Sequence, residues 1–214
     1  MPSLRVCEIF ASIQGESHWA GYPCTFVRLA GCNLDCAYCD TRYAREGGEE
    51  METAAVLDTV RGKGLATVEV TGGEPLLQAG TPDLLWRLAG AGFRVLLETN
   101  GSLPVEEVPP QVHIVLDLKT PGSGMGGWNR WENLRALKSS DEVKVVVRSR
   151  DDYVWARRVL RDWGVLGRLR VSLSPVWGEL DAQELAEWLL EDRLDVRLQV
   201  QLHRILWPGT ERGV

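Results

Sequence analysis

Short β-branched runs alternate along this chain with stretches in which apolar residues recur every three or four positions, the pattern of alternating strands and helices. The runs predict strands at Arg5–Phe10, Thr25–Leu29, Thr67–Val70, Arg94–Glu98, His113–Leu118, Glu142–Val147, Arg168–Ser174 and Asp195–Leu202. Helices are predicted at Thr53–Arg61, Pro82–Ala89, Arg130–Leu137, Asp151–Trp163 and Ala182–Leu190. Within Asp151–Trp163, the residues Val154, Trp155, Val159, Leu160 and Trp163 fall on one stripe, read as a core-facing side. Strands alternating with helices predict a parallel sheet with right-handed crossovers, either a partial (β/α) barrel or an open α/β sheet. In both, chemistry gathers at the C-terminal ends of strands. Three candidate segments sit there: Gly72-Gly73-Glu74-Pro75, Thr99-Asn100-Gly101 and Lys119-Thr120-Pro121-Gly122. Pro121 to Gly127 is Gly-rich and reads as a mobile loop.

Length and composition narrow the picture. A chain of 214 residues suits one domain spanning 1–214, large enough to bury a core without help from disulfides. A net charge of -6 argues against direct nucleic-acid binding, which needs a basic face. The first ten residues carry no basic segment followed by an apolar run, and no apolar stretch approaches a bilayer span, so no membrane association and a cytoplasmic location are expected. Five cysteines is an odd number, and three of them fall within eight positions: a poor disulfide framework and a good ligand cluster.

That cluster reads Gly31-Cys32-Asn33-Leu34-Asp35-Cys36-Ala37-Tyr38-Cys39-Asp40, with spacing C-x3-C-x2-C. Thiolates on one short loop can wrap a cubane iron–sulfur cluster at one sulfur per iron. Cys32, Cys36 and Cys39 then serve three irons, and the fourth keeps an open position for a small chelating ligand. The alternative is a structural zinc site, which needs a fourth ligand from Cys24, His18 or His203. Cys7 and Cys24 lie in apolar strand patterns and read as ordinary buried thiols.

The C-x3-C-x2-C loop resembles the hallmark of the radical S-adenosylmethionine (radical SAM) superfamily. The resemblance implies a partial (β/α) barrel of about six parallel strands with shortened helices. It also implies a [4Fe-4S] cluster that chelates S-adenosylmethionine and splits it to a 5′-deoxyadenosyl radical, which abstracts hydrogen from substrate. Thr71-Gly72-Gly73-Glu74-Pro75 looks like the superfamily's GGE loop; its glycines permit close backbone approach, and its carboxylate can accept from an ammonium.

A finer resemblance, to the 7-carboxy-7-deazaguanine synthase family, runs from end to end. It rests on Ile9-Phe10-Ala11-Ser12-Ile13-Gln14-Gly15-Glu16, Phe26-Val27-Arg28-Leu29-Ala30-Gly31-Cys32, Cys39-Asp40-Thr41, Gln201-Leu202-His203-Arg204-Ile205-Leu206-Trp207 and Arg212-Gly213-Val214. It implies conversion of 6-carboxy-5,6,7,8-tetrahydropterin to 7-carboxy-7-deazaguanine with ring contraction and loss of ammonia, feeding queuosine and related deazapurines. Magnesium, a homodimer and a flavodoxin or ferredoxin as reductant come with it.

By the same resemblance, Ile13, Gln14, Gly15, Glu16, Arg28, Thr71 and Val214 bind substrate, and Thr41 holds magnesium. Chemistry supports the types: Arg28 offers a fork that grips a carboxylate, Gln14 carries both donor and acceptor, and magnesium prefers oxygen. The positions matched to S-adenosylmethionine are Tyr38, Cys39, Asp40, Gly73, Glu74, Glu98, Asp117, Leu118, Lys119, Ser174, Pro175, Val176 and Trp177. Glu98 ends an apolar strand, where a carboxylate is unexpected unless it faces a polar ligand. Two departures stand out: Asp117-Leu118-Lys119 replaces the family's usual Ser-Pro-Lys, and Ser17 stands where glycine usually completes Gln-Gly-Glu-Gly, adding a side chain near the expected pterin site. Two other functions compete. A glycyl-radical activating enzyme shares the cluster but lacks the Gln-Gly-Glu segment and the Arg-Gly-Val ending. A non-catalytic iron–sulfur module normally closes its cluster with a fourth cysteine.

Overall fold

The computed structural model describes residues 2–214. In chain order the elements are β1 (Ser3–Ile13), β2 (Pro23–Leu29), β3 (Glu49–Glu52), α1 (Thr53–Lys63), β4 (Thr67–Gly72), α2 (Thr81–Gly90), β5 (Arg94–Thr99), β6 (His113–Leu118), α3 (Glu132–Ala136), β7 (Glu142–Val147), α4 (Arg150–Asp162), β8 (Arg170–Pro175), α5 (Ala182–Asp192), β9 (Arg197–Leu198) and α6 (Leu202–Leu206). Nine strands form one sheet in the order β3-β1-β2-β4-β5-β6-β7-β8-β9. β1 runs antiparallel to both of its neighbours, and every pairing from β2 to β9 is parallel. From β2 onward the strands lie in sequence order, so right-handed crossovers put the connecting helices on one face and curl the sheet toward a barrel. β9 does not pair back onto β3 or β1, and the barrel stays open. No helix among the described residues is long and apolar enough to cross a membrane.

The two-residue pleat explains which side chains face where. Val68 and Val70 of β4, Val95 and Leu97 of β5, Ile114, Leu116 and Leu118 of β6, Val143, Val145 and Val147 of β7, and Val171 and Leu173 of β8 pack into the helix-side cores. The intervening residues Glu69, Glu98, Asp117, Lys144 and Ser172 therefore face inward. A sheet covered on both faces ought to be apolar throughout; this one carries charge on its concave side.

Several expectations change. The sequence pattern announces neither β3 nor α6: Glu-Glu-Met-Glu is poor strand sequence and pairs with β1 alone. The expected strand Asp195–Leu202 shrinks to Arg197–Leu198: the Gln199 backbone amide makes the last bond to β8, at Leu173 O (2.9 Å), and the chain then turns into α6. In α4 the buried stripe is Tyr153, Ala156, Val159 and Leu160, whereas Val154 is 43% exposed. Trp155 and Trp163 flank that stripe, with Trp131 stacked on Trp163 at 5.4 Å. Pro121–Gly127 folds into two 3-10 turns, and the Gly122 amide donates to Asp152 Oδ1 at 2.7 Å.

At the start of β7, Glu142 is fully buried and accepts from the His18 backbone amide (2.9 Å), His18 Nδ1 (2.6 Å) and Ser172 Oγ (2.9 Å). Burial alone would raise its pKa, but His113 and His18 outweigh it and hold the carboxyl down at about 2. A folded-state pKa below the unfolded value stabilises the fold above the unfolded pKa, and that contribution drains as pH falls through the folded pKa. Glu142→Gln is therefore expected to cost about 3 kcal/mol at neutral pH, by the linkage of roughly 2.5 pKa units. The gap to wild type should close between about pH 4.5 and 2, as read by urea unfolding at stepped pH. A gap that is independent of pH would contradict this account.

Candidate active site

The C-terminal ends of the strands open onto one cleft with a cavity volume of about 280 Å³. Its first wall is the cysteine loop after β2. Cys32, Cys36 and Cys39 are all free thiols, and all three line the cleft. The loop is tied down by its backbone: Gly31 N donates to Ala44 O (2.8 Å) and Ala37 N to Ser123 O (3.0 Å). Two donors approach Cys32 Sγ, the Leu34 amide at 3.5 Å and Asn100 Nδ2 at 3.9 Å. Burial raises the Cys36 and Cys39 thiol pKa values, opposed only in part by Lys119 at Cys36 and by the Thr41 amide and Lys119 at Cys39. Among the described residues no three His, Cys, Asp or Glu side chains converge as ligands of one metal ion. Three soft donors spread around one rim, with donors aimed at a sulfur, suit a multi-iron cluster.

The second wall is the turn after β4. Gly72 has φ 140, and a Cβ there would lie 2.1 Å from Leu29 O. A Cβ on Gly73 would lie 2.0 Å from Gly31 O and 2.9 Å from Cys32 Cβ. With no side chains in the way, Gly73 N donates to Leu29 O (3.1 Å) and Glu74 N to Gly31 O (2.8 Å). The β4 turn is thereby fastened directly to the backbone that carries Cys32. Glu74 departs from its expected place, since it is fully buried and does not line the cleft. Its carboxylate accepts from Leu76 N (2.9 Å), Thr99 Oγ1 (2.8 Å) and Asn100 N (2.7 Å), clamping the β4 turn to the end of β5.

The floor is charged. Lys144, buried on β7, donates to Glu16 Oε2 at 2.7 Å and to Glu98, and sits 3.6 Å from Asp117. Burial works against its charge, but Glu16, Glu98 and Asp117 outweigh burial and raise its pKa. Lys119 Nζ donates to Asp117 Oδ2 at 2.9 Å and is raised in the same way, chiefly by Asp117 against burial. Tyr38 bonds Thr120 Oγ1 and donates to Val146 O, both at 3.2 Å, and burial pushes its hydroxyl up to about 12.

The same cleft is lined by Ile13, Gln14, Gly15, Glu16, Arg28 and Thr71, together with Val214 from the C-terminal segment. Arg28 is paired across strands: its Nε donates to Glu8 Oε1 at 2.8 Å, and its guanidinium lies over Phe10 and Tyr43. Gly15 leaves no room for a Cβ, which would meet His203 Nδ1 at 2.5 Å, and Gly15 O accepts from Leu202 N at 3.0 Å. α6 is docked by that contact, and His203 lines the cleft. Thr41 Oγ1 donates to Asp40 Oδ1 at 2.9 Å, and both residues line the mouth.

Of the positions matched to S-adenosylmethionine, Tyr38, Cys39, Asp40, Gly73, Glu98, Asp117, Lys119, Pro175, Val176 and Trp177 line the cleft. Leu118 does not: the pleat turns it into the helix-side core, at 2% exposure. Ser174 is buried and also outside the lining. Ser17 lies outside the lining too, so its side chain does not enter the cleft. Its φ of 60 is a left-handed conformation that favours glycine, and here its Oγ accepts from Trp19 N at 3.1 Å. Sequence reasoning missed Glu69, Lys144 and Tyr43 in the cleft, and gave no individual role to Asn100, Gln201 and Arg204, which stand in segments it had singled out. Glu69 and Lys144 carried the signal that had flagged Glu98, a charge inside an apolar strand run.

Residues 27–148 match the family model described as the radical SAM superfamily. The 7-carboxy-7-deazaguanine synthase of Chlorobaculum tepidum is 49% identical over 99% of this chain and 97% of its own length. That of Koribacter versatilis is 42% identical over 99% of this chain and 100% of its own. The fold is like the crystal structure of QueE from Escherichia coli, with TM-score 0.78 at 24% identity over 94% of this chain and 95% of that one.

Gly73→Ala is expected to push the β4 turn off the Gly31–Cys32 backbone. Iron and sulfide bound after anaerobic reconstitution should fall to a small fraction of wild type, whereas the exposed Gly62→Ala, with nothing within 4 Å of its Cβ, should leave both unchanged. Full iron loading of the Gly73 variant would contradict the packing argument.

Proposed function

The chain belongs to the radical SAM superfamily and, within it, to the 7-carboxy-7-deazaguanine synthase family, and from that premise we propose that its cleft turns 6-carboxy-5,6,7,8-tetrahydropterin into 7-carboxy-7-deazaguanine with loss of ammonia. One observation carries the reading: three free thiols and the Gln14–Glu16, Arg28 and Thr71 group line a single cleft. Cys32, Cys36 and Cys39 hold the [4Fe-4S] cluster. When bound, the cluster and S-adenosylmethionine together supply a 5′-deoxyadenosyl radical that abstracts hydrogen from substrate.

The remaining work belongs to the chain. Arg28, preset by Glu8 and the Phe10 and Tyr43 rings, grips the substrate carboxylate. Gln14, Gly15 and Glu16 position the ring, with Glu16 held by Lys144 and by Gln201 Nε2 at 2.8 Å. Thr41 and the half-exposed Asp40 beside it present oxygens suited to magnesium shared with that carboxylate. Thr71 and Val214 complete the substrate side; Tyr38, Asp40, Gly73, Glu98, Asp117, Lys119 and Pro175–Trp177 border S-adenosylmethionine, with Glu74 acting from behind as a clamp. Residues 1–214 work as one radical SAM unit in the reducing cytoplasm, as a homodimer. Priming the cluster takes a one-electron donor of the flavodoxin or ferredoxin kind.

Reduced, reconstituted protein given S-adenosylmethionine, magnesium and the carboxy-tetrahydropterin should release 7-carboxy-7-deazaguanine, identified by mass and absorbance; no product would reject the assignment. Cys36→Ala should lose both the cluster and turnover. Arg28→Ala should raise KM by roughly 10- to 100-fold, the loss of a charge-assisted bidentate contact, while uncoupled cleavage of S-adenosylmethionine persists. Loss of both activities at constant iron content would remove Arg28 from the substrate side.

A further inference from the structure

Glu69 is a carboxyl group on the cleft wall that no role above uses. It stands on β4 between Val68 and Val70, both of which enter the helix-side core, so the pleat turns it inward. The residue is only 4% exposed. Its Oε2 takes the Gln14 side-chain amide, while Oε1 has no protein donor among the described residues and is not sealed off from the cleft. Lys144, the cation whose charge acts on it, is already shared between Glu16 and Glu98. Burial first, and then Glu98 and Glu16, push the Glu69 pKa well up, against the pull of Lys144 and Gln14. A carboxyl set into a β-branched strand and left short of donors is costly unless a ligand completes it.

A flat heterocycle with adjacent N–H groups supplies what is missing. We propose that Glu69 is a specificity-determining residue that accepts from the ring N–H and exocyclic amine of the substrate's 2-amino-4-oxopyrimidine edge. The inference rests on the function proposed above and names the wall that reads the ring. Arg28 and Thr41 line the same cleft and are free to take the carboxylate, while the Gln14 side-chain amide fixes the Glu69 carboxyl. A site built around a donor edge discriminates strongly against analogues that lack it.

The test uses reconstituted, unreduced holoenzyme with S-adenosylmethionine bound. Two unreactive probes are titrated by calorimetry: 6-carboxypterin, and 6-carboxylumazine, in which an oxo group replaces the amine. Wild type should prefer the pterin by at least about 10-fold, and Glu69→Val should weaken pterin binding roughly 10- to 100-fold and abolish the preference. The loss should persist in a Gln14→Ala background, which separates direct contact from positioning of Gln14. Iron content matching wild type certifies the fold; should the valine variant fail that check, Glu69→Gln should still lose most of the preference. A loaded variant that keeps the wild-type preference, or an effect that vanishes without Gln14, would overturn the inference. Turnover of the tetrahydropterin by wild type reports separately on the function: product from wild type with an unchanged Glu69 variant rejects this inference alone.

Discussion

Everything at the mouth of this barrel depends on a contact between two backbones. Gly72 and Gly73 let the turn after β4 press against Leu29 and Gly31 at distances no side chain tolerates. The two hydrogen bonds made there register β4 against the strand that launches the cysteine loop. Glu74 passes the constraint onward by taking the Asn100 amide and the Thr99 hydroxyl, and Asn100 in turn reaches Cys32 Sγ and Asn33. Three strand ends are thus locked into one rigid rim before any ligand arrives. Preorganisation of this kind is what a site with several ligands requires, since each then binds without having to order its neighbours.

Beneath the rim, charge takes over from backbone. Lys144 gathers Glu16, Glu98 and Asp117 around one ammonium, and Glu16 belongs to the loop that also supplies Gln14. The same loop is moored lower down, where His18 binds Glu142. Held at both levels, the Gln14–Glu16 segment behaves as part of the barrel wall although it is formally a hairpin connection. Buried charges of this kind seldom stabilise a fold as well as apolar residues would, so their concentration on the concave face marks that face as the working one.

The fold was legible in the sequence because one periodicity governs it. Val143, Val145 and Val147 alternate with Glu142 and Lys144, and that alternation alone tells the two faces of β7 apart. Applied strictly, it would have excluded Leu118 from the cleft and admitted Glu69. What sequence could not reveal is non-local. Glu74 carries the residue type of a ligand contact, yet its three donors come from two turns separated by a whole helix. Similarly, β3 exists only because β1 offers it a partner, and α6 only because Gly15 leaves room for His203. The nine tryptophans also gain a partial account: Trp131, Trp155 and Trp163 form one packed group outside the sheet, away from the chemistry.

An unclosed barrel has two free margins, and free margins invite other chains to add strands. Here one margin is β3, with three glutamates in four residues, and the other is β9, only two residues long before the chain bends away. A second copy approaching edge-on would meet a row of like charges on one side and almost no backbone to pair with on the other. The opening that admits a substrate is thereby kept from becoming a seed for aggregation.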